Sequence, residues 1–177
     1  MEKLYPIMLF IALCLSILPC GNGQSTKAQT ITGHYQYKYE IPYSIKEGAM
    51  LFSETGTMDF YDNGRGLDSA RQVYRLITQD RDTVFWTFNY VNQNNWQVSG
   101  DTLLYSGTPA TFIFELLDLR VTNPAMESWA NNYGNYILRR IWETIGDTDT
   151  YTISRCHHRI LLTPPSGETL KLRNANR

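Results

Sequence analysis

From Gly33 onward, apolar and polar side chains alternate with a period of two residues. Tyr35, Tyr37 and Tyr39 fall on one face of the first such segment, while charged and amide side chains fall on the other. This alternation predicts a half-buried β-strand. We expect the strand to end at Pro42, because proline lacks the backbone hydrogen-bond donor that a strand ladder uses.

The second alternating segment carries a carboxylate on its apolar face. Glu54 shares the parity of Phe52 and Met58. It therefore points toward the core unless a bulge at Gly56 turns it outward. A buried carboxylate must be hydrogen-bonded, paired or protonated. Glu54 is thus a candidate contact for the polar end of a ligand if the sheet closes into a barrel.

Short strands separated by turn residues occupy most of the chain up to residue 116. Asn-Gly at positions 63 and 64 predicts a tight hairpin, because both residues accept positive φ angles. Closely spaced strands favour antiparallel pairing, since parallel strands need long crossovers. The expected strands cover residues 72–78, 84–91, 96–98, 103–106 and 112–116, with turns at 79–82, 92–95 and 100–101.

The apolar period becomes helical after residue 123. Asn123 can cap a helix and Pro124 suits its first turn, and Gly146 can end it, so we predict a helix over 123–146. Gly134 inside this helix suggests a close approach to another backbone. Two final strands are expected over 150–163 and 169–173, the first with a bulge at 155–158 where its apolar parity changes.

These patterns predict an all-β fold with one added helix. We expect an antiparallel up-and-down barrel, or a barrel-like sandwich, of about 8–10 strands with the helix packed on it. The domain would cover residues 33–177, following a disordered polar tether over 21–32.

The first twenty residues have the layout of an export signal. A short charged head precedes an apolar run over 4–19, which ends at Cys20. The run is shorter than the about 20 apolar residues of a transmembrane helix. Cys20 sits where bacterial lipoproteins carry their acylated cysteine, and cleavage before Gln24 or Gln29 would instead give a soluble product. The expected location is the periplasm, the outer membrane or the cell surface.

Composition narrows the class of protein further. The net charge is −1, which gives no electrostatic reason to expect a nucleic-acid partner. Cys14 and Cys20 lie in or next to the leader, so we expect Cys156 to stand alone and the fold to be held by core burial.

Cys156, His157 and His158 form a cluster of residue types that bind zinc or copper. Cys156 and His158 would point to the same side of a strand, but a site needs a third ligand, and His34 is the remaining histidine. We therefore interpret the segment as a partly exposed strand without a metal. No glycine-rich phosphate loop, HExxH or GxSxG motif is present, and no cofactor is implied.

Three segments resemble the lipocalin-like barrels. They are Gly33-x-Tyr35 at the opening strand, the 96–103 segment as a mid-domain hairpin, and the 161–172 segment as a closing hairpin. More narrowly, the chain resembles the small exported lipocalin-like proteins of Bacteroidetes. The resemblance implies a barrel with an internal cavity for small, often apolar ligands. Tyr35 stands where lipocalins have tryptophan.

The leading functional hypothesis is a non-enzymatic binding protein of the cell envelope, which holds a small apolar or amphipathic ligand in an aromatic-lined barrel. A structural or interaction lipoprotein with a filled barrel is the second hypothesis. A metal-dependent or hydrolytic enzyme that uses Glu54 or the Cys156/His158 pair is the third. The candidate ligand-binding residues are Tyr35, Tyr37, Tyr39, Phe52, Glu54, Phe88, Tyr90 and Phe114.

Overall fold

The computed structural model describes residues 31–157 and 159–175 of the 177-residue chain. The predicted export signal and most of the predicted tether lie outside these residues. The described part contains the strands β1 (Gly33–Ile45), β2 (Gly48–Phe60), β3 (Arg65–Thr78), β4 (Thr83–Ser99), β5 (Thr102–Gly107), β6 (Ile113–Val121), β7 (Thr148–Cys156), β8 (Arg159–Thr163) and β9 (Leu170–Asn174), and the helix α1 (Glu127–Thr144).

Eight of these strands close into an antiparallel barrel. The pairing runs in the order β1, β2, β3, β4, β5, β7, β8 and β9, and it closes where Tyr35 and Gln36 of β1 pair with β9. The predicted all-β barrel and its strand number are thereby confirmed. Since side chains alternate along each strand, one face of every strand lines the interior.

The ninth strand, β6, branches from the barrel at β4. The first half of β4 pairs with β6, whereas its second half pairs with β5. Helix α1 packs against β6, and the indole Nε1 of Trp86 on β4 donates a hydrogen bond of 2.8 Å to the carbonyl of Ala130 in the helix. The predicted helix therefore packs on the barrel at this branch point.

The interior contains two apolar clusters. One, here called the helix-side core, lies between the barrel wall and α1 and comprises Met50, Tyr74, Leu76, Val84, Trp86, Phe88, Phe112, Phe114, Ala130 and Ile137. The other fills the opposite part of the barrel and includes Tyr35, Tyr37, Phe60, Leu103, Tyr105 and Leu172. No helix among the described residues is long and apolar enough to cross a membrane.

The ends of the predicted helix are shifted. A 3-10 turn over Pro124–Met126 precedes α1, and the Asn123 side chain accepts a hydrogen bond from the backbone N–H of Ala125, as expected for a cap. The helix ends at Thr144. Gly134 does make a close approach, but its neighbour is the indole ring of Trp86 rather than a backbone: a Cβ at this position would lie 3.0 Å from Trp86 Cδ1.

Several predicted strand ends are wrong, and β3 and β6 are both longer than the sequence predicts. β1 continues through Pro42 to Ile45. Among the described residues β9 pairs only with Tyr35 and Gln36 of β1, so Pro42 occupies an edge position that tolerates the missing N–H. The turn expected at 92–95 is also absent, because β4 continues without interruption to Ser99.

The predicted bulge at 155–158 is wrong as well. The chain reverses there, since His157 has a φ of 57° and Cys156 of β7 pairs with Arg159 of β8. A reversal explains the change in apolar parity, because each strand of a hairpin has its own alternation. The turns at Asn63-Gly64, at 79–82 and at Gly167 are confirmed by their hydrogen bonds and positive φ angles.

The domain begins before Gly33. Ile31, which the sequence places in the disordered tether, is fully buried in the cluster that contains Tyr35. Tyr35 Oη also donates a hydrogen bond of 3.3 Å to the carbonyl of Thr32. Residues 31 and 32 are therefore part of the packed barrel.

Candidate functional site

Glu54 points into the barrel, and both of its carboxylate oxygens accept hydrogen bonds. No bulge occurs at Gly56, since β2 keeps an unbroken register with both β1 and β3. Tyr37 Oη donates to Glu54 Oε1 at 2.7 Å. Gln72 Nε2 and Tyr39 Oη donate to Oε2 at 2.6 and 3.2 Å. The interior orientation that the parity indicates is thus the observed one.

A second carboxylate, Asp68, shares a donor with Glu54. Tyr37 Oη lies 2.9 Å from Asp68 Oδ1 as well as 2.7 Å from Glu54 Oε1. Tyr105 Oη approaches Asp68 Oδ2 at 3.3 Å. We call Tyr37, Tyr39, Glu54, Asp68, Gln72 and Tyr105 the carboxylate network.

When both acids are ionised, the carboxylate network has one hydrogen too few for all of its contacts to be hydrogen bonds. A phenol has a single hydrogen to donate, but Tyr37 Oη contacts an oxygen of each acid. The second contact is a hydrogen bond only if one carboxyl is protonated and donates to the phenol. Glu54 already has its own donors in Gln72 and Tyr39, so the geometry places the proton on Asp68.

Burial and mutual repulsion favour the same arrangement. Burial, followed by the charge of nearby Glu54, raises the pKa of Asp68 to about 8, against which the hydrogen bonds from Tyr37 and Tyr105 act. Burial also raises the pKa of Glu54, while hydrogen bonds from Tyr37, Gln72 and Tyr39 lower it. Burial first, and then the nearby carboxylates, raise the pKa of Tyr37 well above its usual value, so this phenol stays protonated.

Amide side chains continue the polar surface along the inner wall. Asn92 pairs across the sheet with Asp68, and Asn94 pairs with Gly66. Asn92 Oδ1 accepts a hydrogen bond of 3.2 Å from the backbone N–H of Thr108. Asn94 is only 1% exposed, yet neither its Oδ1 nor its Nδ2 has a hydrogen-bond partner. The interior therefore has unused hydrogen-bonding capacity beside Asp68.

All eight predicted ligand-binding residues lie in the barrel or in the helix-side core. Tyr37, Tyr39 and Glu54 meet directly in the carboxylate network. Phe52 lies against Tyr39, with ring centroids 5.6 Å apart. The other four lie farther along the wall: Tyr35 packs on Phe60, Phe88 stacks on Phe114 at 4.8 Å, and Tyr90 contacts Phe112 and Phe114.

Reasoning from the sequence missed Asp68, Gln72, Tyr105 and Asn94 as site residues. Asp68 lies before the expected start of its strand, where Gly66 and Ala70 leave no apolar alternation to detect. Asn94 lies in the expected turn. A signal was present there. Apolar residues occupy the even positions both before the segment, from Val84 to Tyr90, and after it, at Trp96 and Val98, as they would on one uninterrupted strand.

The carboxylate network is buried except at Tyr39. Glu54 and Asp68 are 7% and 5% exposed, and in the helix-side core Trp86 is 0% and Tyr74 is 5% exposed. Tyr39 and Phe52 face inward and are only half-buried. A separate depression of about 320 Å³, lined by residues 32–34 and 59–62, lies where β1 starts and β2 ends and is wide open to solvent.

The Cys-His segment has a different role from the one considered above. Cys156 is disulfide-bonded, so the expectation that it stands alone is wrong, and it offers no thiolate to a metal or a substrate. The chain's other cysteines, Cys14 and Cys20, and also His158, lie outside the described residues. His34 Nδ1 contacts Asp59 Oδ1. Within residues 31–157 and 159–175, no three acidic, His or Cys side chains converge on a metal-sized site.

No protein-family model matches the chain, and no curated protein matches it. The function must therefore be inferred from the site. Aromatic side chains, of which Tyr39 and Phe52 are half-buried, surround two buried acids. This combination is suited to holding a small ligand by packing and a few polar contacts.

Proposed function

We propose that the protein is an exported binding protein of the cell envelope that holds a small ligand inside its barrel and acts without catalysis. The observation that carries this proposal is the carboxylate network, because it places oriented polar groups in an aromatic interior whose edge, at Tyr39 and Phe52, is only half-buried. Binding sites for small molecules combine apolar walls with a few placed polar groups in this way. The barrel and the opening Gly33-x-Tyr35 support a lipocalin-like relationship as part of the proposal.

Export is supported by the start of the chain, since residues 1–20 have the order of a signal peptide. Cys20 is the proposed lipid anchor, with a soluble form cleaved before Gln24 or Gln29 as the alternative.

Intact-mass measurement of the protein from its own cells tests the export proposal. A mature chain that starts at an acylated Cys20 establishes anchoring, and one that starts at Gln24 or Gln29 establishes a soluble exported form. The sulfur of Cys20 can carry a lipid thioether or join a disulfide, but not both. An unprocessed chain that retains Met1 contradicts export.

Mass spectrometry of the natively purified protein tests the binding proposal. After incubation with lipid and metabolite extracts of the producing cells, we expect a small molecule to be retained through gel filtration. Introducing Glu54→Gln should reduce its retention, while Asp118→Asn, at an exposed residue paired with Arg120, should not. Retention of nothing by the folded protein contradicts the proposal.

A filled barrel that serves as an interaction subunit is the second candidate. Trp86, Phe88, Leu103, Leu162 and Leu172 are all 0–1% exposed, so much of the interior is solid packing. Ile113, Leu117 and Trp142 meanwhile expose apolar surface on β6 and α1. This candidate predicts a stable protein partner and no retained small molecule.

A further inference from the structure

The carboxylate pair has no basic partner inside the barrel. The buried polar and charged residues of the described chain are Glu54, Asp68, Gln72, Thr87, Asn92 and Asn94. None of them is basic, and neither acid belongs to any ion pair found in that part of the chain. Since isolated buried carboxylates are costly, such a pair takes up either a proton or a cation.

An ammonium group would supply what the carboxylate network lacks. The missing element is one hydrogen between Glu54 and Asp68, at the phenol oxygen of Tyr37. An ammonium group brings three hydrogens and a positive charge. Charge-assisted hydrogen bonds to carboxylates are stronger than neutral ones. Electron-rich rings also stand next to the acids, with Tyr37 and Tyr39 stacked at 6.2 Å, and aromatic faces attract cations.

An independent observation on Asn94 also points to a bound polar molecule. The carboxamide of Asn94 lies over Gly66, because its Oδ1 is 2.5 Å from where a Cβ on Gly66 would be. Asp68 follows Gly66 by two residues on the same inner face. An amide this buried requires partners, and it has none among residues 31–157 and 159–175. A second polar group on a ligand held at Asp68 would satisfy it.

We propose that the barrel interior binds a cationic amine, with its ammonium group between Glu54 and Asp68 and a second polar group of the ligand at Asn94. This inference rests on the proposed ligand-binding function and specifies its ligand class. The incoming ammonium displaces the proton that Asp68 carries, and that proton leaves to solvent. Since one positive charge replaces another, the occupied site has the same net charge as the empty, protonated site.

Calorimetric titration of the purified full chain with two matched phenols tests the proposal. Tyramine carries an ammonium group, and 4-(2-hydroxyethyl)phenol carries a hydroxyl in its place. We expect tyramine to bind at least about tenfold more tightly. At pH 7, its apparent binding enthalpy should differ between phosphate and Tris buffers by the amount for release of up to about one proton. Removal of the phenol hydroxyl, in 2-phenylethylamine, should weaken binding by up to about tenfold because Asn94 loses its partner.

Side-chain substitutions locate the binding. Glu54→Gln and Asp68→Asn should each weaken tyramine binding at least about tenfold and leave the neutral phenol nearly unchanged. Asp118→Asn serves as the control for loss of one surface charge. Circular dichroism of each variant establishes that it is folded, and a folded Glu54→Gln alone suffices if Asp68→Asn is not.

The outcomes separate this inference from the proposed function. Equal binding of both phenols overturns the amine assignment and leaves interior binding intact. Tight tyramine binding that both carboxylate variants retain also overturns it, because the amine then lies elsewhere. If the folded protein binds neither phenol and retains no molecule from the cell extracts, the proposed function fails and this inference fails with it.

Discussion

The barrel interior contains two neighbouring regions that are held together by different interactions. The helix-side core is held by ring packing, with Trp86 in edge contact with Trp129 and inclined against Tyr133. The carboxylate network is held by hydrogen bonds between groups that would cost free energy if left unpaired. Both regions are buried, since Trp86 is 0% exposed and Glu54 and Asp68 are 7% and 5% exposed.

The contrast separates a region that stabilises the fold from the region proposed to bind the ligand. Close-packed apolar side chains stabilise a fold and leave no group free to recognise anything. Buried acids add little or negative net stability, and they persist where they recognise a partner or specify a conformation. The two regions should therefore respond differently to mutation and to pH.

The largest effect is expected in the helix-side core. Trp86→Ala removes the indole that packs against α1 and its hydrogen bond to Ala130, so the free energy of unfolding should fall by about 4 kcal/mol. Trp142→Ala is the matched control, since Trp142 is 47% exposed and contacts Phe112, and it should cost about 1 kcal/mol or less. Urea denaturation measures both, and equal losses would show that α1 does not depend on Trp86.

Gly56→Ala should disrupt the close packing of β2 against β3 beside the carboxylate network and lower the stability of the fold. A Cβ there would lie 2.5 Å from the carbonyl oxygen of Ser69 and 2.9 Å from Tyr37 Oη. We expect a loss of about 3 kcal/mol, because backbone cannot yield as a flexible side chain does. Gly146→Ala is the control, since its nearest contact is Pro109 Cγ at 3.3 Å. A stability change near zero for Gly56→Ala would contradict the observed β2–β3 packing.

Local alternation predicted most of the strands and the all-β barrel, and it gave the inward side of Glu54 as one of two alternatives. It could not bring Asp68 to Tyr37, because that contact depends on the register of three strands. Tyr37 pairs with Gly56, which pairs with Ala70, and the small residues at 56 and 70 leave room for the phenol. The alternation of apolar residues cannot identify an inward-facing position that is occupied by glycine, alanine or aspartate.

The amino-acid composition of residues 92–95 led to the wrong prediction of a turn. Asn92, Asn94 and the residues between and beside them have the composition of a turn, yet they continue β4. Pairing with β3 on one side and β5 on the other outweighs the local preference of asparagine for turns. These polar residues therefore lie on the inner face of a strand, beside the carboxylate network, rather than in a loop.

The stability of the protein should fall as the pH rises through the titration of Asp68. Its pKa is about 8 in the folded chain, above the ordinary value of 3.8, so the folded state retains a proton that the unfolded state has lost. The stabilisation is complete below about pH 4 and is lost progressively up to about pH 8. Between pH 6 and pH 8 the loss should be about 2 kcal/mol.

Asp68→Asn isolates this effect. The amide mimics the protonated acid and does not titrate, so the variant should lose about 2 kcal/mol less than the parent protein between pH 6 and pH 8. Urea denaturation at both pH values measures the difference, with Asp118→Asn as the control. Parallel pH profiles for the parent and Asp68→Asn would mean that Asp68 is not the proton carrier.

The smallest expected effect compares two phenols on the same face of β1. Tyr37→Phe removes the only hydroxyl that joins Glu54 to Asp68 and should cost about 1.5 kcal/mol, since hydrogen bonds to charged acceptors contribute more than neutral ones. Tyr35→Phe removes a hydroxyl that donates at 3.3 Å to the Thr32 carbonyl and should cost about 0.5 kcal/mol. Without the shared phenol, the acids of Tyr37→Phe also lose a common donor, so its cost should increase above pH 8, where both are ionised. Equal costs for the two variants at every pH would place Tyr37 among ordinary core residues and remove the distinction between the network and the packed wall around it.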